Sequence, residues 1–205
     1  QFKGVVDLVK MRALFFDGDN GEIIRDEAIP ADIKDECVKY SLGLVEAMAE
    51  FDDGVMAKFL DGVDVSAEEL VPVIRKATLS LKFTPVFMGS AVKNKGVQHL
   101  LDGVLAYLPT PTQKYNEALD QDNNEAKVEL HSDPTKSFVG LAFKLEDGRY
   151  GQLTYLRVYQ GSLVKGGDIV NIRTGKKHKV GRLVRMHADE MEDITDACSG
   201  DIVAL

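Results

Sequence analysis

The sequence predicts an α/β unit followed by an all-β unit built as an antiparallel barrel. Three observations carry that reading. Apolar residues recur at helical spacing through much of positions 30–108. From Ser137 onward, short strand-like runs alternate with Gly-rich or charged turns, the pattern of an antiparallel sheet or barrel. The charge divides at the same place: residues 1–111 carry a net −6, residues 112–135 a net −4 and residues 136–205 a net +2, within a total of −8.

The first segment reads as a hairpin. Val5, Val6, Leu8 and Val9 form one apolar run and Ala13–Phe16 a second, followed by Asp17-Gly18-Asp19-Asn20-Gly21 and then Glu22-Ile23-Ile24. Asp-Gly and Asn-Gly are turn formers because they tolerate positive φ. A calcium loop starting at Asp17 would need glycine at its sixth position and a carboxylate at its twelfth. Glu22 and Ala28 stand there, so the turn is preferred.

Pro30 opens a helix to about Phe51, with Ile33, Cys37, Tyr40, Leu44, Ala47, Met48 and Phe51 as its core face. A short helix is expected over Val55–Leu60, and Ser66-Ala67-Glu68-Glu69 matches a capping box that starts a third. Pro72 is expected to shorten or kink that helix. Residues 83–89 are the buried-strand candidate. Residues 95–107 form a helix with Val97, Leu100, Leu101, Val104, Leu105 and Leu108 along one apolar face. The acidic stretch 112–135 is expected to be a linker or long loop. Strands are then expected over Phe138–Leu145, Gly151–Tyr159, Asp168–Arg173, Lys179–His187 and Asp201–Leu205.

At 205 residues, 44% hydrophobic and 28% charged, the composition is that of an ordinary globular protein. No apolar stretch approaches the ~20 residues of a membrane helix, and the first residues lack a signal-peptide pattern. The chain begins without Met, inside an expected strand, so an excised fragment is expected. Cys37 and Cys198 are isolated thiols that suit a reducing compartment. His99, His131, His178 and His187 have no metal-ligand spacing, so no metal site is expected.

Catalytic signatures are missing from the sequence. It holds no Gly-x-x-x-x-Gly-Lys-Ser/Thr run, no Asp-x-x-Gly, no Gly-x-Ser-x-Gly and no His-Glu-x-x-His. Asn94-Lys95 is followed by Gly96-Val97 and not by the aspartate of an Asn-Lys-x-Asp motif. Two candidates remain. The turn at Ser90-Ala91 follows the candidate strand, where α/β sheets bind ligands. A basic run with Arg173, Lys176, Lys177, His178, Lys179, Arg182 and Arg185 holds no acidic residue between Ile169 and Ala188. Such a run binds phosphate backbones through charge, or it is a solvated hairpin whose lysines protect a sheet edge.

Gly89-Ser90-Ala91-Val92-Lys93-Asn94-Lys95-Gly96-Val97-Gln98, followed by Leu-Leu-Asp and Tyr-Leu-Pro, resembles the guanine-recognition loop of elongation factor G, the ribosomal translocase. Gly4–Val9, Ile29-Pro30-Ala31, Val139–Leu145, Gly151–Gly161, Gly181-Arg182-Leu183, Met186-His187-Ala188 and Gly200-Asp201-Ile202 extend the resemblance over nearly the whole chain. Asp17-Gly18-Asp19, Glu146–Gly151 and Met186–Asp189 resemble its mitochondrial-type branch.

The resemblance implies an inserted α/β subdomain of a GTPase G domain (1–83), the last strand and helix of that domain (84–111), a linker (112–135), and an incomplete β-barrel of the translation-factor domain II type (136–205). It implies that Ser90, Ala91, Val92 and Lys93 contact the guanine base of GTP, bound with Mg2+ in a full-length monomeric GTPase whose phosphate motifs lie outside this sequence. This segment alone is expected to be inactive and to bind no nucleotide. Implied partners are the small-subunit ribosomal RNA, met by Arg173, Lys176, Lys177, Lys179, Arg182 and Arg185, and the ribosomal stalk protein. No membrane is involved. The implied compartment is the cytoplasm or, alternatively, the mitochondrial matrix. A ribosome-recycling or other translational GTPase paralogue, and a non-enzymatic RNA-binding adaptor, are the alternatives.

Overall fold

A computed structural model describes residues 2–148 and 151–205. Gln1, and Arg149 and Tyr150 of the quoted Glu146–Gly151 run, lie outside the described residues. The chain divides into two compact units, Gln1–Leu108 and Pro109–Leu205.

The first unit opens with a three-stranded antiparallel meander: β1 (Gly4–Asp7), β2 (Arg12–Asp17) and β3 (Ile23–Glu27). The expected hairpin thus gains a third strand. The buried Asp7 carboxylate shapes the first turn by accepting from Val9 N at 2.9 Å and Lys10 N at 3.1 Å. The Asp17–Gly21 turn uses positive φ at Gly18 (85°) and Gly21 (65°), as its composition requires.

Four helices follow among the described residues. α1 spans Lys34–Ala49 and α2 spans Asp53–Leu60, the latter capped by the Asp52 carboxylate, which accepts from Gly54 N and Val55 N. α3 (Ala67–Leu79) carries the expected capping box at Ser66 and Glu69. It also runs on through Pro72, because Leu70, Val73, Ile74 and Ala77 anchor both sides of the proline in the core. α4 spans Val97–Tyr107. Met48, Leu70 and Ala77 are fully enclosed at the centre of this core. The buried stripe of α1 is rotated from the expected one. Val45 and Ala49 are inside, whereas Tyr40 and Ile33 are exposed.

Two expectations for residues 83–108 need correction. Residues 83–89 form no strand ladder: none of the described sheets includes them. Phe83 and Phe87 pack on the core, while Val86 and Met88 point to solvent. On α4 it is Gly103 and Tyr107 that are buried, and Leu100, Leu101, Val104, Leu105 and Leu108 are exposed. The reason is steric: Gly103 lets the helix approach the Phe87 ring so closely that a Cβ there would lie 2.3 Å from the ring tip.

In the second unit, the stretch expected as a linker contains a hairpin. β4 (Asn116–Asp120) pairs with β5 (Ala126–Leu130), and Asn124 and Glu125 take positive φ at the turn. Ala118 opposite Val128 and the Lys127–Glu117 ion pair (2.7 Å) give an otherwise polar segment enough cross-strand contact to pair.

β6 (Val139–Gly148) and β7 (Gly151–Gln160) then form the long ribbon expected there. They are followed by β8 (Ser162–Val164), β9 (Asp168–Asn171), β10 (Lys176–Lys179), β11 (Val184–His187), β12 (Glu190–Asp193), β13 (Asp196–Cys198) and β14 (Ile202–Ala204). The main sheet has the order β12-β11-β14-β7-β6, and β9–β10 and β8–β13 form separate antiparallel pairs. The expected strand Lys179–His187 is split, because Val180 and Leu183 are both buried. A straight strand puts residues three apart on opposite faces, so the chain must turn between them. Leu156, Val158, Leu163, Val180, Leu183, Ala197 and Val203 form the core of this unit.

Candidate functional site

The loop at Ser90 is a product of two backbone crossings. Phe87, packed between His99 (ring centroids 5.2 Å apart) and Tyr107 (6.3 Å), fixes the chain just before it. At Gly89 the backbone passes the Lys95 carbonyl so tightly that a Cβ would sit 2.6 Å from its oxygen. Gly96 passes the Met88 carbonyl in the same way, with φ of 82°.

Between these crossings Ser90 and Lys95 exchange two hydrogen bonds, Ser90 N to Lys95 O at 2.8 Å and Lys95 N to Ser90 O at 3.0 Å. Within the loop, Ala91–Lys93 form a single 3-10 turn closed by Lys93 N to Ser90 O and Asn94 N to Ala91 O. Asn94 completes it in the left-handed region (φ 48°), which asparagine tolerates.

Four of the loop's amides are consumed in this closure. The N–H groups of Ala91 and Val92 donate to no group among the described residues, as is usual for the first residues of a helical turn. Ala91 is exposed, and Val92 is 98% exposed. The loop therefore leaves two adjacent backbone donors unspent on exposed residues with short side chains, an arrangement suited to a carbonyl acceptor on a flat ring. Ser90 is half-buried at the loop's base, and Lys93 is exposed at its far end.

One further contact was not legible from composition. Gly21, read as a turn former, is buried against this loop: a Cβ on it would lie 2.7 Å from the Asn94 carbonyl oxygen and 2.8 Å from that of Lys93. Next to it, Arg25 donates to Asp17 at 2.7 Å and also bridges Glu27. The Arg25 hydrogen bond, helped by the positive charge of Lys95, holds the Asp17 carboxyl below its ordinary range.

The basic residues form two groups. Lys176, Lys177 and Lys179 lie on β10 and Arg173 in the turn before it, all exposed. Among the described residues none of these four has an ion-pair partner. Lys177 and Lys179 share a strand face.

Arg182 and Arg185 differ. Arg182 makes a bidentate contact with Asp193 at 2.8 and 2.9 Å, and Arg185 sits 4.0 Å from Asp201. β12 follows the basic run in sequence and folds back alongside β11, setting Glu192 opposite Arg185. The run without acidic residues in sequence thus gains acidic partners in space. The Arg182 guanidinium also holds the Asp193 carboxyl below its ordinary range.

The family model for elongation factor Tu domain 2 matches residues 151–205. Across the whole chain, the sequence is 56% identical to elongation factor G 2 of Anaeromyxobacter dehalogenans and 52% identical to the mitochondrial elongation factor G-1 of Arabidopsis thaliana. It is 52% identical over 98% of its length to elongation factor G 1 of Borrelia garinii. The chain belongs to the elongation factor G family. It spans 27–29% of the length of these relatives.

A crystal structure of a Thermus thermophilus protein superposes over 99% of the chain and 27% of its own, with a TM-score of 0.70 at 22% identity, which supports the fold alone. The elongation factor G match accounts for the antiparallel second unit, whose β7–β14 portion is the part the family model covers.

Proposed function

We propose that this chain is the middle part of a GTP-dependent translocase of the ribosome, and that the Ser90–Lys95 loop is one wall of its guanine pocket. The observation that carries the reading is the pair of unspent amides at Ala91 and Val92 in an elongation factor G-like sequence. Two adjacent N–H donors suit the exocyclic carbonyl of guanine and disfavour the amino group of adenine. Small side chains at Ser90 and Ala91 let the ring approach, and Lys93 flanks it.

In this reading residues 1–83 are the inserted subdomain and residues 84–111 the last strand and helix of the G domain. The unpaired segment 83–89 and the exposed apolar side chains of α4 support that division, because both are surfaces that a larger sheet would cover. Residues 136–205 are the domain II barrel, and the four unpaired cations around β10 would meet ribosomal RNA phosphates. Among the described residues no three His, Cys, Asp or Glu side chains converge on a metal position. A nucleotide's Mg2+ would be held chiefly by the phosphates themselves, and we assign it no ligand in this chain.

The test is Ala91→Val in the full-length protein. The branched side chain should raise the Kd for GDP about tenfold or more by blocking the ring's approach to the amides. Affinity equal to wild type, with the fold intact, would overturn the guanine-wall assignment.

A further inference from the structure

The β2–β3 turn touches the Ser90–Lys95 loop through a single buried glycine. Gly21 is enclosed although its neighbours Asn20 and Glu22 are exposed. Its α-carbon faces the carbonyls of Lys93 and Asn94, the two residues that close the loop's 3-10 turn.

The turn is braced. The Glu22 carboxylate accepts from Asn20 N at 2.8 Å, Arg25 holds Asp17, and the β2–β3 ladder begins at Asp17 opposite Ile23. The tip of the braced turn therefore sits against the loop at the Lys93 and Asn94 carbonyls. Any displacement of the Lys93–Asn94 carbonyls is transmitted through the hydrogen bonds Lys93 N to Ser90 O and Asn94 N to Ala91 O.

We infer that the β2–β3 turn is a buttress that sets the position of the nucleotide-contacting loop, with Gly21 as the positioning residue. This rests on the guanine-wall reading. A methyl group at Gly21 would have to move from 2.7 Å to at least the 3.4 Å of an ordinary contact, so the loop carbonyls must withdraw. Hydrogen bonds from Ala91 and Val92 tolerate little displacement of that size. The substitution therefore acts on base binding with no group of the turn touching nucleotide.

Gly62 provides the control. It also has positive φ (67°), so alanine is strained there too, but a Cβ on it meets nothing within 4 Å.

The experiment uses the full-length protein and titrates fluorescent GDP and ADP, alongside GTP turnover at saturating substrate. Gly21→Ala should raise the Kd for GDP about tenfold and shrink the GDP-over-ADP preference, with kcat unchanged. Gly62→Ala should stay within about twofold of wild type. Glu22→Ala, which loosens the brace without adding bulk, should raise the Kd about threefold and serves if Gly21→Ala does not fold.

Equal effects of Gly21→Ala and Gly62→Ala, or wild-type affinity in both Gly21→Ala and Glu22→Ala, overturn the buttress. Should Ala91→Val also bind GDP as wild type does, the guanine-wall reading falls with it. If only Ala91→Val weakens binding, the wall stands and the buttress alone is refuted.

Discussion

Replacing Gly103 and Gly43 by alanine should shift stability in opposite directions, although both are helical glycines. At Gly103 of α4 the new methyl group lies 2.3 Å from the Phe87 Cζ and 2.9 Å from each ε carbon. The ring must retreat by about an ångström to reach ordinary contact, and His99 and Tyr107 flank it. Overpacking of this kind costs about 1–3 kcal/mol. At Gly43 of α1 a Cβ meets nothing within 4 Å.

Both variants gain the same helix-propensity term, about 0.8–1.0 kcal/mol. That gain cancels in the comparison. Gly43→Ala should therefore be more stable than wild type and lie above Gly103→Ala by about 1–3 kcal/mol, or roughly 4–8 °C of midpoint per kcal/mol. The α-helices of the described residues all belong to the first unit, so thermal unfolding followed by far-ultraviolet circular dichroism reports that unit. In a Phe87→Leu background the Gly103→Ala penalty should shrink, since the shorter side chain leaves room for the methyl group. Equal shifts for the two glycines, or no coupling to Phe87, would refute the packing argument that explains why the apolar face of α4 is not the buried one.

The acid limb of the stability curve should depend on Asp17. Its carboxyl is held below the ordinary range by the Arg25 hydrogen bond, so the stabilisation is present above the unfolded-state value and is lost as pH falls through the folded one. Asp17→Asn should be less stable than wild type at neutral pH, and the two urea midpoints should converge below about pH 4; a gap that stays constant to acid pH contradicts this. For the basic residues, reversing Lys176, Lys177 and Lys179 together in the full-length protein should weaken ribosome binding and flatten its salt dependence. Arg182→Glu should instead disturb the β11–β12 contact. If the lysine triple variant keeps the wild-type salt slope, the hairpin is a solvated edge.

What is legible in the sequence is whatever depends on near neighbours. The Ser66 capping box and the glycine turn at 17–21 are local chemistry, and the structure has both. The errors come from contacts between distant segments. The apolar stripe of α4 satisfies helical periodicity, yet the face that packs is chosen by Gly103, whose lack of a side chain makes it invisible to a hydrophobicity pattern. The acidic composition of the 112–135 stretch points to a linker, but composition does not weigh Ala118 against Val128 across a turn. Val180 and Leu183 look like one strand until their shared burial shows that the chain bends between them. Gly21 is the same lesson at the site: its role lies in the two carbonyls it faces, more than seventy residues away in sequence.

The distribution of charge in the second unit bears on the proposed RNA contact and favours the β9–β10 hairpin over β11 for it. Arg182 and Arg185 each have a carboxylate nearby, and an arginine recruited to RNA would have to give up that contact, which offsets part of what a phosphate would return. The lysines of β10 and Arg173 have no such competitor among the described residues, and there the strand they occupy has β9 as its only ladder neighbour. Pairing on one side leaves the other edge of β10 open, and lysines on an open edge also block strand addition by another chain. The two roles make the same demand on sequence, because positive charge on an unpaired edge repels a second copy of that edge and attracts a phosphate backbone. Only the salt dependence separates them, since counterion release accompanies phosphate binding and has no counterpart in protection of an edge.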